Sequence, residues 1–168
     1  MAVTYKPQNT VYPCGVMPTY SLALTTCQRR ILFEKPANAQ LMMDILFRYR
    51  DDGRYLLHGF AIMPVQVHLL LTPMRERTVD RCERCIKDEF VNKTRLRIPG
   101  EIWQTWVLDH RVRTEKEFKV QLQDMATMPE RRNLRNFLFV HTRYLNRIDP
   151  MPAGLLGQVA AAQVYNWV

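Results

Sequence analysis

Two short apolar runs, Phe60–Met63 and Val67–Leu71, stand on either side of Pro64, and the second ends just before Pro73. Both are rich in β-branched or bulky residues. The pair predicts two interior strands joined by a tight connection rather than one helix. Side chains alternate along a strand, so Gln66 and His68 share one face while Val65, Val67 and Leu69 share the other. A polar pair on an otherwise apolar strand needs partners, because burying it unpaired costs roughly 2 kcal/mol or more.

The flanking sequence supplies what such strands pack against. Val16–Thr26 alternates loosely, with Tyr20, Leu22 and Leu24 against Ser21, Ala23 and Thr25, and predicts a first strand. Pro36 suits the first turn of a helix, and Leu41, Met42, Ile45 and Tyr49 continue it as a stripe toward Asp51-Asp52-Gly53. Arg54–Met63 and Val67–Thr72 are the second and third strands. Arg75–Leu96 predicts a second helix, with Val79, Cys82, Ile86 and Phe90 toward the sheet and Arg77, Arg81, Arg84 and Arg95 opposite them. Pro99-Gly100 closes it, and Val107 and Val112 mark a fourth strand. Thr114-Glu-Lys-Glu117 is a capping box that starts a third helix burying Phe118, Leu122 and Met125.

Beyond it, Asn133–Arg147 reads as one more helix through Leu134, Phe137, Leu138, His141 and Leu145, basic at Arg135, Arg143 and Arg147. Residues 1–15, with Pro7, Pro13 and Gly15, read as an irregular arm. The end from Pro150 is small and apolar, with Tyr165 and Trp167 near its close.

At 168 residues the chain has the length of one domain. Its net charge of +8 and pI near 9.6 favour a polyanion partner, nucleic acid first and an anionic membrane surface second. No apolar run approaches the ~18–20 residues of a membrane span. The N-terminus lacks the layout of a signal peptide, which makes the cytoplasm the expected location. Cys82-Glu-Arg-Cys85 has the spacing of a zinc or redox pair, yet it sits on a charged helix with no matching second pair. Together with Cys14 and Cys27 these residues read as reduced, half-buried thiols.

The run Met63-Pro-Val-Gln-Val-His-Leu-Leu-Leu71 resembles the signature strand of the HUH-type tyrosine transposases of small insertion sequences, above all the REP-associated branch. There the strand reads Met-Pro-Asn-His-Val-His-Leu-Leu-Leu, and its two histidines hold the catalytic metal. This chain keeps the second as His68 and has Gln66 at the first. Thr25-Thr-Cys-Gln-Arg-Arg-Ile-Leu-Phe33 is similar to the family's Thr-x-Arg-Arg-x-x-Leu-Phe segment. Trp103, Gln104, Asp109, His110 and Arg113 match its Trp-Gln-x-x-Phe-x-Asp-His-x-x-Arg segment. Three segments in the same order span most of the chain, from about residue 16 to 132.

The resemblance implies an α+β ferredoxin-like sandwich: an antiparallel sheet of four or more strands with helices on one face. It divides the chain into the arm 1–15, a transposase-like domain 16–132, and a C-terminal helix and tail 133–168. Family members attack a phosphodiester of single-stranded DNA with a tyrosine on the last catalytic helix, leaving a 5′-phosphotyrosyl link. An asparagine four residues later completes the metal site, and a proline follows. Alignment on Pro129 puts Asp124 at the tyrosine position and Met128 at the asparagine position, one turn apart on one face.

The resemblance therefore implies a partner in single-stranded or hairpin DNA, a possible homodimer, and loss of strand cleavage. No cofactor is expected, with Mg²⁺ or Mn²⁺ required only where activity persists. Candidate DNA contacts are Arg29, Arg30, Arg77, Arg81, Arg84, Arg111 and Arg113; a merely solvated surface is the competing reading for each. Two alternatives stay open. One is an active divergent nuclease using another tyrosine, such as Tyr20, Tyr144 or Tyr165. The other is a decayed remnant or protein-interaction module.

Overall fold

The computed structural model describes residues 18–155. The arm 1–15, the first residues of the expected leading strand, and Cys14, Tyr165 and Trp167 lie outside the described residues. Four strands, β1 (Thr19–Thr25), β2 (Tyr55–Met63), β3 (Gln66–Pro73) and β4 (Leu108–Val112), form one sheet in the order β2-β3-β1-β4. Every neighbouring pair is antiparallel. Helix α1 (Pro36–Asp51) connects β1 to β2, and α2 (Val79–Thr94) connects β3 to β4. This is the split βαβ arrangement of the ferredoxin-like sandwich that the sequence predicts.

Strand alternation sorts the two sheet faces. Leu22, Leu24, Leu57, Phe60, Ile62, Val67, Leu69 and Leu71 meet Met42, Ile45 and Leu46 of α1 and Cys82, Ile86 and Phe90 of α2 in the main core. On the opposite face a smaller cluster of Ala61, Met63, Leu70 and Val112 receives Phe118 and Met125 of a third helix, α3 (Glu115–Arg131). The two crossover helices thus share one face, and α3 lies across the other.

How α3 comes so close to β2 is local. A register shift between Leu57 and Gly59 bulges β2 and turns both His58 and Gly59 toward α3. A Cβ at Gly59 would stand 2.7 Å from Leu122 Cδ1, so the helix rests on bare backbone there. The capping box forms with one change. Thr114 Oγ1 accepts the Glu117 N–H at 3.1 Å, but Glu117 Oε2 accepts from Arg113 N at 2.8 Å, one residue before the cap.

Two sequence expectations are corrected. The second helix begins at Val79, not Arg75, because Arg75 and Glu76 adopt left-handed backbone angles (φ 54° and 57°) and Thr78 caps the first turn. The helix expected over 133–147 is replaced by turns. Asn133 and Asn136 are left-handed, and only the 3-10 turns His141–Arg143 and Leu145–Arg147 form. Instead of presenting a helical stripe, this segment runs along the outer edge of β2. Ile62 N donates to Phe139 O, Val140 bridges Ala61, and Asp149 N donates to Leu57 O. Pairing that edge leaves Leu138 and Leu145 exposed.

Asp149 anchors this segment. Its carboxylate accepts from Arg50 Nε (3.1 Å), Arg50 Nη2 (2.9 Å) and Leu57 N (2.8 Å), and it is almost completely buried. His58, also buried, joins Asp149 O through Nδ1 and Thr72 Oγ1 through Nε2.

Candidate nucleic-acid groove

Because α3 leans toward β2, it leaves part of its sheet face half open. Three alternating residues of β3, Gln66, His68 and Leu70, pair across to Thr25, Ala23 and Ser21 of β1. Above this strip, Glu117, Gln121, Asp124, Met128 and Arg131 recur at three and four residues and form one stripe of α3. Two polar side-chain contacts among the described residues join helix to sheet. Ser21 Oγ donates to Gln121 Oε1 at 2.9 Å, and His110 Nε2 lies 3.7 Å from Glu117 Oε2. The result is a polar groove with β1, β3 and β4 as floor and α3 as wall.

His68 lies between the small side chains of its cross-strand neighbours Ala23 and Ala61. It is half-buried, and burial pushes its pKa down to about 4. Arg132 lowers it further, Asp124 pulls it upward, and Arg131 again lowers it. Desolvation dominates, and the ring is neutral at pH 7. Asp124 is itself engaged, its Oδ1 accepting from Arg131 Nη2 at 2.8 Å. Gln66 Nε2 donates to Thr25 Oγ1 at 2.9 Å. Met128 is half-buried and packs into the smaller core.

No group of three or more His, Cys, Asp and Glu among the described residues could hold a metal ion. The donors at the expected positions also fit a hard divalent cation badly. They offer one imidazole, one neutral amide oxygen, a thioether turned to the core and a carboxylate already neutralised by Arg131. Tyr20 and Tyr144 lie on the other side of the sheet, packed against the main core. Neither faces His68, and Tyr165 lies outside the described residues.

The candidate arginines fall in different places. Arg29 is exposed at the end of β1, in a loop where Gln28 and Arg29 are both left-handed (φ 52° each). That loop is tied to the β2–β3 turn by Thr26 N donating to Val65 O and Phe33 N to Pro64 O, which brings it to the Gln66 end of the sheet. Arg30 braces a neighbouring loop, its Nη1 donating to Pro99 O and Glu101 O. Arg111 and Arg113 are exposed on and after the edge strand β4, and Arg84 is exposed on α2. Arg77 and Arg81 stand at the far end of β3 from Gln66. The eight residues of β3 separate the two ends by about 23 Å.

Arg131, Arg132 and Gln121 escape a motif-based reading. Their signal is helical spacing, three residues before Asp124 and seven and eight after it. Cys82 is buried, its thiol pushed up to about 11 by that burial, and Cys85 is half-buried; both are free thiols. No helix of the described residues is long and apolar enough to cross a membrane.

No family model matches the chain, and no curated protein matches it. Its fold is similar to that of a REP-associated tyrosine transposase solved bound to a REP hairpin. The TM-score is 0.66 at 17% identity, covering 85% of this chain and 90% of that one. A protein described as a putative transposase from Deinococcus radiodurans R1 aligns at a TM-score of 0.47 and 19% identity, over 78% of this chain and 98% of that one. The first likeness shows a shared fold.

Proposed function

We propose that this protein binds single-stranded or hairpin DNA in the groove between α3 and the sheet, and that it does not cut the strand. The observation that carries the reading is the polar groove itself, where Ser21 on the floor donates to Gln121 on the wall and Arg131 holds Asp124 about one helical turn further on. A neutral imidazole at the floor and the Arg132 guanidinium at the rim offer hydrogen bonds and charge to a phosphodiester. The fold neighbour solved with a REP hairpin supports nucleic acid as the partner. So does the +8 charge.

Strand cleavage needs a nucleophile and stabilisation of the charge that builds on the phosphoryl oxygens. At the position the sequence resemblance gives to the tyrosine, the short carboxylate of Asp124 cannot reach as a phenolate would, and it repels the phosphate. Gln66 and Met128 replace two metal ligands with donors unsuited to Mg²⁺ or Mn²⁺. Charge binding and hydrogen bonding remain.

Fluorescence anisotropy with a labelled hairpin carrying a single-stranded tail tests the reading. Affinity is expected to fall by orders of magnitude between about 50 and 200 mM salt. Absence of binding at the lower salt overturns it.

A further inference from the structure

At the opposite end of β3 from the groove, four arginines gather where β2 begins and α2 is approached. Arg54 lies over the Tyr49 ring, its guanidinium carbon 4.3 Å from the centroid. Arg75 folds back along the chain, so that a Cβ at Gly53 would stand 3.3 Å from Arg75 Nη2. Met74 N donates to Arg54 O, and Arg77 N donates to Met74 O, which ties the two segments together. Arg77, Arg54 and Arg81 all act on the Cys82 thiol, each drawing its pKa down against burial.

Their charges are not paired with carboxylates. Among the described residues, none of Arg54, Arg75, Arg77 and Arg81 has a carboxylate within ion-pair distance. Asp52, Glu76 and Asp80 are near in sequence, yet none of them pairs with the four. Arg77 Nε is enclosed and has no hydrogen-bond partner. A shielded N–H without an acceptor costs about 1–3 kcal/mol, so the Arg77 side chain is held under strain at this surface. Arg75 and Glu76 also hold left-handed φ angles that non-glycine residues rarely adopt, and this turn is what carries Arg75 back over Gly53.

From this geometry we infer a second nucleic-acid contact, in which Arg54, Arg75, Arg77 and Arg81 grip the phosphate backbone of a double-stranded segment. Single strands are held by bases stacking on exposed aromatic rings as well as by charge. Here the only rings of segments 49–55 and 73–82, Tyr49 and Tyr55, are buried. A surface of guanidinium groups without a stacking platform reads backbone charge and not bases, as duplex-positioning contacts do. The inference rests on nucleic acid being the partner, but it does not depend on the groove.

The test pairs two probes with three proteins. A labelled blunt duplex and a labelled unstructured single strand are titrated against the unaltered protein and against R75A/R77A/R81A, each over a range of salt. The variant is expected to bind duplex at least about tenfold more weakly at low salt, with a salt slope shallower by about 2 to 3. Its single-strand binding is expected to stay unchanged. The variant R75A/R81A alters only exposed side chains and is expected to show a smaller loss in the same direction, which separates loss of contact from loss of fold. Equal duplex affinity and slope in all three proteins overturns the inference. If single-strand binding is absent while duplex binding falls as described, the groove reading fails and the arginine site stands.

Discussion

Asp124 on α3 and His68 on β3 are electrostatic neighbours across the groove, and Arg131 holds the Asp124 carboxylate at 2.8 Å. The helix brings an acid and a base to the place where the sequence resemblance expects a nucleophile and a metal ligand. The Asp124 side chain has been given another partner.

Replacing Asp124 by Asn removes the one negative charge acting on His68 and frees Arg131 for a phosphate. Asp124→Asn is expected to raise affinity for single-stranded DNA by about fivefold at low salt, the equivalent of about 1 kcal/mol for a partly exposed charge. Anisotropy titration measures it. Unchanged or weaker binding argues against phosphate passing beside position 124.

Acid should unfold this protein earlier than its carboxylates alone require. Burial lowers the pKa of both His58 and His68 from 6.5 to about 4, and lowers that of His141 too. The unfolded chain therefore takes up protons before the folded one as pH falls. Stability present above pH 6.5 is lost progressively down to about pH 4, by on the order of 3 kcal/mol for His58. Urea midpoints from pH 7.5 to 4.5 are expected to drop across this window, and His58→Gln should flatten part of the drop. A midpoint constant over that range contradicts the assignment.

The C-terminal segment hangs on one buried ion pair. Asp149→Ala leaves the Arg50 guanidinium and the Leu57 N–H without their acceptor, and should cost about 3–5 kcal/mol. Asp149→Asn keeps an oxygen for Leu57 and should cost less. Chemical denaturation of the two variants ranks them, and equal, small losses would show that the edge of β2 is held by something else.

The βαββαβ order was legible because each element carries its own period: the alternation of Ser21 to Thr25, the stripe of Met42, Ile45 and Tyr49, and Pro64 between β2 and β3. The capping residue Thr114 was legible for the same local reason. What lay hidden depends on tertiary contacts. The bulge at His58 and Gly59, which lets α3 settle on the second face, has no period of its own. The segment after Asn133 has helix-like spacing at Leu134, Phe137 and Leu138. Pairing Phe139 and Val140 to the β2 edge, and burying Asp149 against Arg50, outweighs that propensity. At the site, motif positions single out Gln66, His68 and Asp124 as candidates and give no signal for Arg132.

The account depends most on position 124 standing where a nucleophile would attack. The direct measurement incubates a labelled hairpin strand with Mn²⁺ and looks for a covalent protein–DNA adduct on a denaturing gel, comparing the unaltered chain with the triple variant Gln66→His, Asp124→Tyr, Met128→Asn. The account predicts an adduct with the triple variant alone. An adduct with the unaltered chain contradicts it.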